Sequence, residues 1–474
     1  MKHYDYVVIG SGLSAYAAVK ELLSKKKNFA VLDIGQKIEK NILDIYQKKS
    51  WNHIKQNKNH VLKNLNTLQS KTKLKLSYGS DHSYFYSKNI EHLKLPKLDM
   101  LVSKSLGGFS NNWGGVLYLY NSDELKNWPI TKNKFYQDLD EVGKNFKIDK
   151  QLIKELTDND QEIKKNSKYF KDAIIALNNC KSRGMCMYGC PENSILNAKN
   201  FFNELINKKK INYFSNLKLN KIRKNDQLEL ECIEINDLKK INFSAEKVFL
   251  AAGPVSTTHI ILNSFEEIQQ LRVKDSSMFV FPIINLKKQH RTHGKQMCTK
   301  IFKYHKDKNN FLIQIYDEID FFLYKFPSVI KNIFNKYLKL SIGIGYLESK
   351  DSSELVLEKR NNKIFYKTKK NFNYFKRIFY LFLFCFNTIK KGIISFPFLQ
   401  YKLDDFSSYH LGASIPMTNA SKNNLKVYTD SKGRLNLNDK IIILDSSNFT
   451  NIQPGSISLM SMINSQRITK ANLK

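Results

Sequence analysis

Residues 4–15 read Tyr4-Asp5-Tyr6-Val7-Val8-Ile9-Gly10-Ser11-Gly12-Leu13-Ser14-Ala15, and this stretch decides the fold. Tyr4 to Ile9 has the unbroken apolar character of a buried parallel strand, and it runs directly into a Gly-x-Gly-x-x-Ala turn. A helical pattern continues through Ala18, Val19, Leu22 and Leu23. After the Lys25-Lys26-Lys27-Asn28 turn, Phe29-Ala30-Val31-Leu32-Asp33 forms a second strand whose acid lies 21 residues beyond Gly12. Each part has a physical reason. Gly10 permits the tight turn, Gly12 lets backbone approach a pyrophosphate, Ala15 allows close helix–strand packing, and Asp33 can bond a ribose hydroxyl. A lone motif of this kind is weak, but strand, helix, second strand and acid fall in register here and specify a dinucleotide site.

Further along, Ser105-Leu106-Gly107-Gly108-Phe109-Ser110-Asn111-Asn112-Trp113-Gly114-Gly115 places four glycines in nine positions. Such a loop lets backbone pass close to something large and flat. Trp128-Pro129-Ile130-Thr131 opens an amphipathic helix with Phe135, Leu139, Val142 and Phe146 at helical spacing. Lys247 to Leu250 reads as a buried strand ending at Ala251-Ala252-Gly253-Pro254, with a helix through His259 to Leu262 after it. The chain closes with a strand at Ile441 to Asp445, a Pro454-Gly455 turn and a helical run from Leu459 to Asn464. Residues 36–97 are polar and Lys/Asn-rich, an excursion with short helices.

With 474 residues and 42% hydrophobic content the chain has material for two or three domains with full cores. No apolar stretch is long enough to span a bilayer, and Met1 to Tyr6 lacks the apolar core of a signal peptide, so a cytoplasmic enzyme is expected. Lys plus Arg numbers 77 against 43 acids, yet only eight of the 77 are Arg. Nucleic-acid readers lean on Arg for its bidentate fork, and no Lys stripe alternates with stacking aromatics, so nucleic acid is not an expected partner.

Three of six cysteines crowd together, as Cys180-Lys181-Ser182-Arg183-Gly184-Met185-Cys186-Met187-Tyr188-Gly189-Cys190-Pro191. Clustered cysteines in a chain of this kind point to metal or redox chemistry. Arg377 to Phe386 is apolar on all faces and flanked by Lys376, Lys390 and Lys391. It is too short to span a bilayer and reads first as a buried helix, second as a peripheral membrane contact.

Taken in order, these motifs resemble the glucose–methanol–choline (GMC) family of FAD-dependent oxidoreductases. The resemblance rests on the N-terminal unit, Leu106-Gly107-Gly108, Trp113-Gly114-Gly115, Trp128-Pro129-Ile130, Leu250-Ala251-Ala252-Gly253, His410-Leu411-Gly412 and Asp445-Ser446-Ser447. It implies an α/β fold with a Rossmann-like FAD-binding domain and a discontinuous, sheet-containing substrate domain. The first would take residues 1–45, 98–127, 200–270 and 405–474, the second residues 128–199 and 271–404, with 46–97 as the excursion. FAD would be held by Gly10, Gly12, Leu13, Ser14, Ala15 and Asp33, then by Gly107, Gly108, Ser110, Asn111, Trp113 and Gly114. Ala252, Gly253, Asp445, Pro454, Gly455 and Ser456 would complete that set.

The activity implied is hydride transfer from a CH–OH group of a sugar, polyol or related alcohol to flavin, with an acceptor protein or quinone taking the electrons, a dehydrogenase in preference to an oxidase. The alternative is an FAD-binding protein without alcohol oxidation, in a non-redox or assembly role. His410 is the candidate base, since imidazole titrates near neutrality. The family's His-x-x-Gly-Thr-x-Arg-Met is here Tyr409-His410-Leu411-Gly412-Ala413-Ser414-Ile415-Pro416-Met417, one residue shorter and without the Arg. Where the family carries a second His or Asn stands Ile452-Gln453-Pro454-Gly455-Ser456, and Gln453 can offer a hydrogen bond but not a base. The cysteine spacing resembles that of bacterial FAD-dependent glucose dehydrogenase flavin subunits, which implies Cys180, Cys186 and Cys190 as ligands of a 3Fe-4S cluster; a disulfide or free thiols are the alternatives.

Overall fold

The computed structural model describes residues 1–37, 85–86, 101–111, 113–184, 186, 190, 192–287, 293–318, 339–361, 363–418 and 425–473. The expected excursion at 46–97 lies outside them except for the two-residue strand Phe85–Tyr86.

The stretch that opens the chain forms the strand Lys2–Ile9, the helix Leu13–Ser24 and the strand Phe29–Leu32. Lys2–Ile9 lies parallel to Phe29–Leu32 on one side and to Lys240–Leu250 on the other. Asn212–Phe214 and Asn438–Ile443 extend the parallel set at either end. Period-two alternation buries both faces of this sheet. Val7, Ile9, Val248, Leu250, Ile441 and Ile443 join the core under the Pro254–Ser264 helix. Val8, Val31, Phe249 and Ile442 turn the other way, toward the Leu13–Ser24 and Ser458–Asn472 helices. The two helices are tied by Ser465, whose hydroxyl donates to the Ser14 carbonyl at 2.7 Å.

A second sheet is antiparallel throughout, in the order Ile393–Ser395, Met278–Asn285, Leu340–Leu347, Asn309–Tyr316, Lys300–Lys306 and Lys168–Asp172. Alternation sorts its residues as well. Phe279, Phe281, Phe302, Phe311 and Ile313 point outward under the Tyr374–Thr388 helix, which covers them with Tyr380, Leu381 and Phe384. Met278, Leu312, Tyr316, Ile344 and Tyr346 point inward to the shared core. The helix after Trp128 is Lys132–Phe146, and Phe135, Leu139, Val142 and Phe146 are all buried as their spacing predicts. A small sheet of Gln270–Lys274, Glu354–Arg360 and Lys363–Lys369 contributes Leu271, Leu355 and Leu357 to the core under the Pro254–Ser264 helix. The expected domain boundary at 271 runs through this sheet.

Among the described residues no helix is long and apolar enough to cross a membrane. The Tyr374–Thr388 helix buries one stripe only, which corrects the first expectation of a buried helix.

Gly343 and Gly345 leave room for the rings of Phe281 and Phe279, and an added Cβ would come within 2.3 and 2.2 Å of their ring carbons. Gly345→Ala is therefore expected to lower unfolding stability by roughly 1–3 kcal/mol through overpacking. Chemical denaturation monitored by fluorescence checks this.

Candidate active site

The two sheets enclose a cleft of about 510 Å³ that runs from the glycine turn to Tyr346 and His410. Gly10 has φ +100°, and a Cβ there would come 2.5 Å from the Ala251 carbonyl oxygen where the Lys240–Leu250 strand ends. No side chain could replace it. A Cβ on Gly12 would meet nothing within 4 Å, so this residue opens onto free space. Gly12 also starts the Leu13–Ser24 helix with no side-chain cap, leaving the helix's first N–H groups available to an anion. Gly108 brings the second glycine loop against it, its Cβ position 3.5 Å from the Gly12 Cα.

Ser11 joins these parts. Its hydroxyl donates to the Asp33 carboxylate and accepts the Gly107 N–H at 2.9 Å. Asp33 also accepts from the Tyr213 hydroxyl at 2.9 Å; burial nevertheless pushes its carboxyl up to about 6. Asp445 accepts from the hydroxyls of Thr257 and Ser447 at 2.5 and 2.6 Å, and burial raises it too.

Of the expected cofactor residues, Gly10, Gly12, Leu13, Ser14, Asp33, Gly108, Ser110, Trp113, Gly114, Ala252, Gly253, Asp445 and Ser456 line the cleft. Ala15, Gly107, Asn111, Pro454 and Gly455 stand behind the wall. Ala15 is buried in the helix core, as close strand–helix packing requires. Asn111 folds its own loop, donating to the carbonyls of Leu106 and Gly108 at 2.8 and 3.0 Å. Gly455 packs against Leu312 and Tyr118.

Several lining residues carry no motif. Leu217, Leu219, Ile233 and Ile235 form an apolar end beside Asp33, whose carbonyl accepts the Leu217 N–H at 3.0 Å. Lys104 and Lys218 line this end as well. The Lys218 ammonium is buried with no hydrogen-bond partner, and burial with the nearby Lys104 charge lowers it to about 8. Two desolvated cations in the same cleft as the open helix N–H groups suit a ligand bearing phosphates. At the opposite end stand Gln314, Tyr316 and Tyr346, with the Tyr316 hydroxyl donating to Gln314 Oε1 at 2.8 Å. One sequence signal marks them: alternation along Phe311 to Tyr316 sends Leu312, Gln314 and Tyr316 to one face.

His410 lies in the cleft wall, its ring centroid 5.1 Å from that of Tyr346. Its loop is pinned from below. The His410 N–H donates to Ser408 Oγ at 3.0 Å, and the Ser408 hydroxyl donates to Asp275 at 2.6 Å. Asp275 also accepts the N–H groups of Phe406 and Ser276 at 3.1 and 2.8 Å, and burial raises its carboxyl to about 6. Lys274 and Gly412 exchange two backbone hydrogen bonds.

Gln453 does not fit its expected role. It is buried outside the cleft wall, where its amide accepts from Asn310 at 2.7 Å and donates to Asn451 at 3.0 Å. The neighbouring Lys303–Glu124 ion pair, 2.7 Å and fully buried, fixes Asn310 in turn through hydrogen bonds to both charges. Gln453 braces the final turn instead of facing a substrate.

The iron–sulfur expectation gains no support. Among the described residues no group of three or more His, Cys, Asp or Glu is placed to hold a metal ion, and Cys180, Cys186 and Cys190 carry free thiols. Burial pushes the Cys186 thiol up to about 12. Cys180 and Cys190 accept the N–H groups of Ser182 and Ser194, each at 3.3 Å.

No protein-family model and no curated protein matches the sequence. Among solved structures the chain is similar to pyridoxine 4-oxidase from Mesorbium loti, with a TM-score of 0.54 and 10% identity over 99% of each chain. It is also similar to a formate oxidase of Aspergillus oryzae RIB40 studied for the effect of mutation on FAD modification, with a TM-score of 0.58 and 11% identity over 99% of this chain and 98% of that one. At these identities the likeness is one of fold, shared with both oxidases over nearly the whole chain, as the motifs imply.

The depressed Lys218 ammonium makes a pH prediction. A bound phosphate would restore its charge, so above pH 8 binding must take up a proton. FAD affinity, measured by fluorescence on protein stripped of small molecules, is expected to fall by up to about tenfold per pH unit above that point. Lys218→Met should weaken FAD binding at neutral pH and flatten this slope.

Proposed function

We propose that the chain is an FAD-dependent oxidoreductase that removes hydride from a CH–OH group of a sugar, polyol or related alcohol. The observation that carries the reading is one continuous cleft that joins a dinucleotide turn to His410, Tyr346 and Gln314. FAD fits the first end. The space beyond Gly12, the uncapped helix start and the partnerless Lys218 suit its pyrophosphate, and the Leu217, Leu219, Ile233 and Ile235 wall suits a flat base. Bound there, FAD supplies the hydride acceptor that no side chain can provide.

The chain's own part is proton handling and orientation. An alcohol carbon gives up hydride readily only when its hydroxyl proton leaves at about the same time. An imidazole nitrogen of His410 is suited to take that proton, and the Asp275–Ser408 bonds hold its loop in place. Gln314, with Tyr316 and Tyr346 around it, offers hydrogen bonds to a substrate oxygen, while Met278, Val116 and Ile344 exclude water. One observation favours the alternative of an FAD-binding protein without alcohol oxidation: Gln453 is committed to Asn310 and Asn451, so it gives His410 no help.

Gly12→Val should fold as the parent does, since its Cβ meets nothing, yet purify without FAD. Absorbance near the flavin bands, read beside the melting temperature, checks this, and retained FAD would relocate the site.

Anaerobic stopped-flow bleaching of the flavin, screened over sugars, polyols and simple alcohols, tests the activity. His410→Ala and His410→Asn should keep the flavin spectrum while slowing bleaching by roughly 10²-fold or more. Equal rates in the variants would move the proton elsewhere, and a parent enzyme that no alcohol bleaches would favour the alternative reading.

A further inference from the structure

The Tyr374–Thr388 helix is apolar on two sides. Its inner stripe closes the outer face of the second sheet: Tyr380 stacks on Phe311 at 4.2 Å, and Phe384 meets Phe281 and Phe302 at 5.9 and 5.3 Å. Its outer stripe is Phe375, Phe379, Phe382 and Phe386, spaced i, i+4, i+7 and i+11, so four rings line one helix face. They are 76%, 48%, 50% and 82% exposed. Phe372, 85% exposed, precedes the helix, and Phe398, 67% exposed, meets Phe382 edge-on at 5.8 Å. A contiguous aromatic surface of this kind marks an interaction site.

The charge around it is one-sided. From Lys359 to Leu403 the chain carries eleven Lys or Arg and no Asp or Glu. Lys390 and Lys391 stand exposed just past the helix C-terminus. Five of the eleven are paired with acids outside that stretch: Lys376 with Asp351 at 2.6 Å, Arg360 and Lys367 with Glu358, Lys369 with Glu354, and Lys402 with Asp405. Fifteen helical residues measure about 22 Å, too short to cross a bilayer but suited to lying in its surface. An in-plane helix with an aromatic face and a basic surround is the form that anionic bilayers bind. A second copy of this chain fits worse, because its own basic surround would repel.

We infer that the Phe375–Phe379–Phe382–Phe386 face docks the protein onto an anionic phospholipid surface. The face lies on the outer side of the sheet whose inner side lines the cleft, so the inference stands apart from the reading of the cleft.

The test is co-flotation of the full-length protein with phosphatidylcholine vesicles, with and without roughly one-third phosphatidylglycerol. Wild type should float with the mixed vesicles, bind pure phosphatidylcholine at least tenfold more weakly, and keep part of its binding in high salt. A quadruple Phe→Gln variant at 375, 379, 382 and 386 should lose the salt-resistant part and drop at least tenfold in affinity, with an unchanged melting profile. Lys390→Glu with Lys391→Glu, which leaves the four rings in place, should lose the salt-sensitive part. Wild type left at the bottom of the gradient would overturn the inference. So would equal flotation of the quadruple variant, which would assign binding to overall charge. A lipid-free dimer that the Phe→Gln changes dissociate would assign the face to a second copy and overturn it as well.

Discussion

The Ser11 hydroxyl holds the cleft together. It donates to Asp33 at the end of one strand and accepts from Gly107 in a loop nearly a hundred residues away. That bond seats Gly108 against Gly12, and the rest of the loop follows. Ser110 accepts the Ala198 N–H at 3.1 Å at the start of the Ala198–Asn207 helix, and the Trp113 indole donates to the Leu196 carbonyl at 2.6 Å. The wall of the cleft is thus placed by hydrogen bonds within the chain. Those bonds are strong because they are buried, and the same burial raises Asp33 despite two hydroxyl donors.

Two sheets with opposite habits divide the work. The parallel sheet is buried on both faces, so it serves as a rigid floor whose strand ends present the glycine turns. The antiparallel sheet is two-sided in a different sense. One face sends Gln314, Tyr316 and Tyr346 into the cleft, and the other sends phenylalanines under the Tyr374–Thr388 helix. A one-residue register slip would exchange those faces, so the strand pairing that builds the core also aims the polar groups of the site.

Burial also decides which charged groups act and which only brace. Asp275, Asp445 and Glu124 are each surrounded by protein donors, and each fixes a loop: the His410 segment, the Ser446–Asn448 turn and the Asn310–Gln453 contact. Lys218 differs, being desolvated without a partner. An unmatched buried cation costs stability until an anion reaches it, which is why it points to a ligand and the braced carboxylates do not.

The strand–helix–strand unit at the start of the chain is legible in its residues because its parts are local: strand, turn, helix and acid lie within residues 4–33, and one spacing fixes them all. Local periodicity likewise placed the Lys132–Phe146 helix with its four buried apolar residues, and the ordered motifs implied the fold. Other features were beyond the reach of the sequence because they depend on which segments meet. Only the tertiary structure turned Gln453 toward Asn310, and only it separated the residues that line the cleft from those, such as Asn111 and Gly455, that stand behind it. It also split the Arg377 to Phe386 run into a buried and an exposed stripe. An all-apolar helix reads alike on every side in sequence. Which side is covered depends on the one sheet it packs against, and that sheet is assembled from strands that begin at Lys168 and end at Lys402.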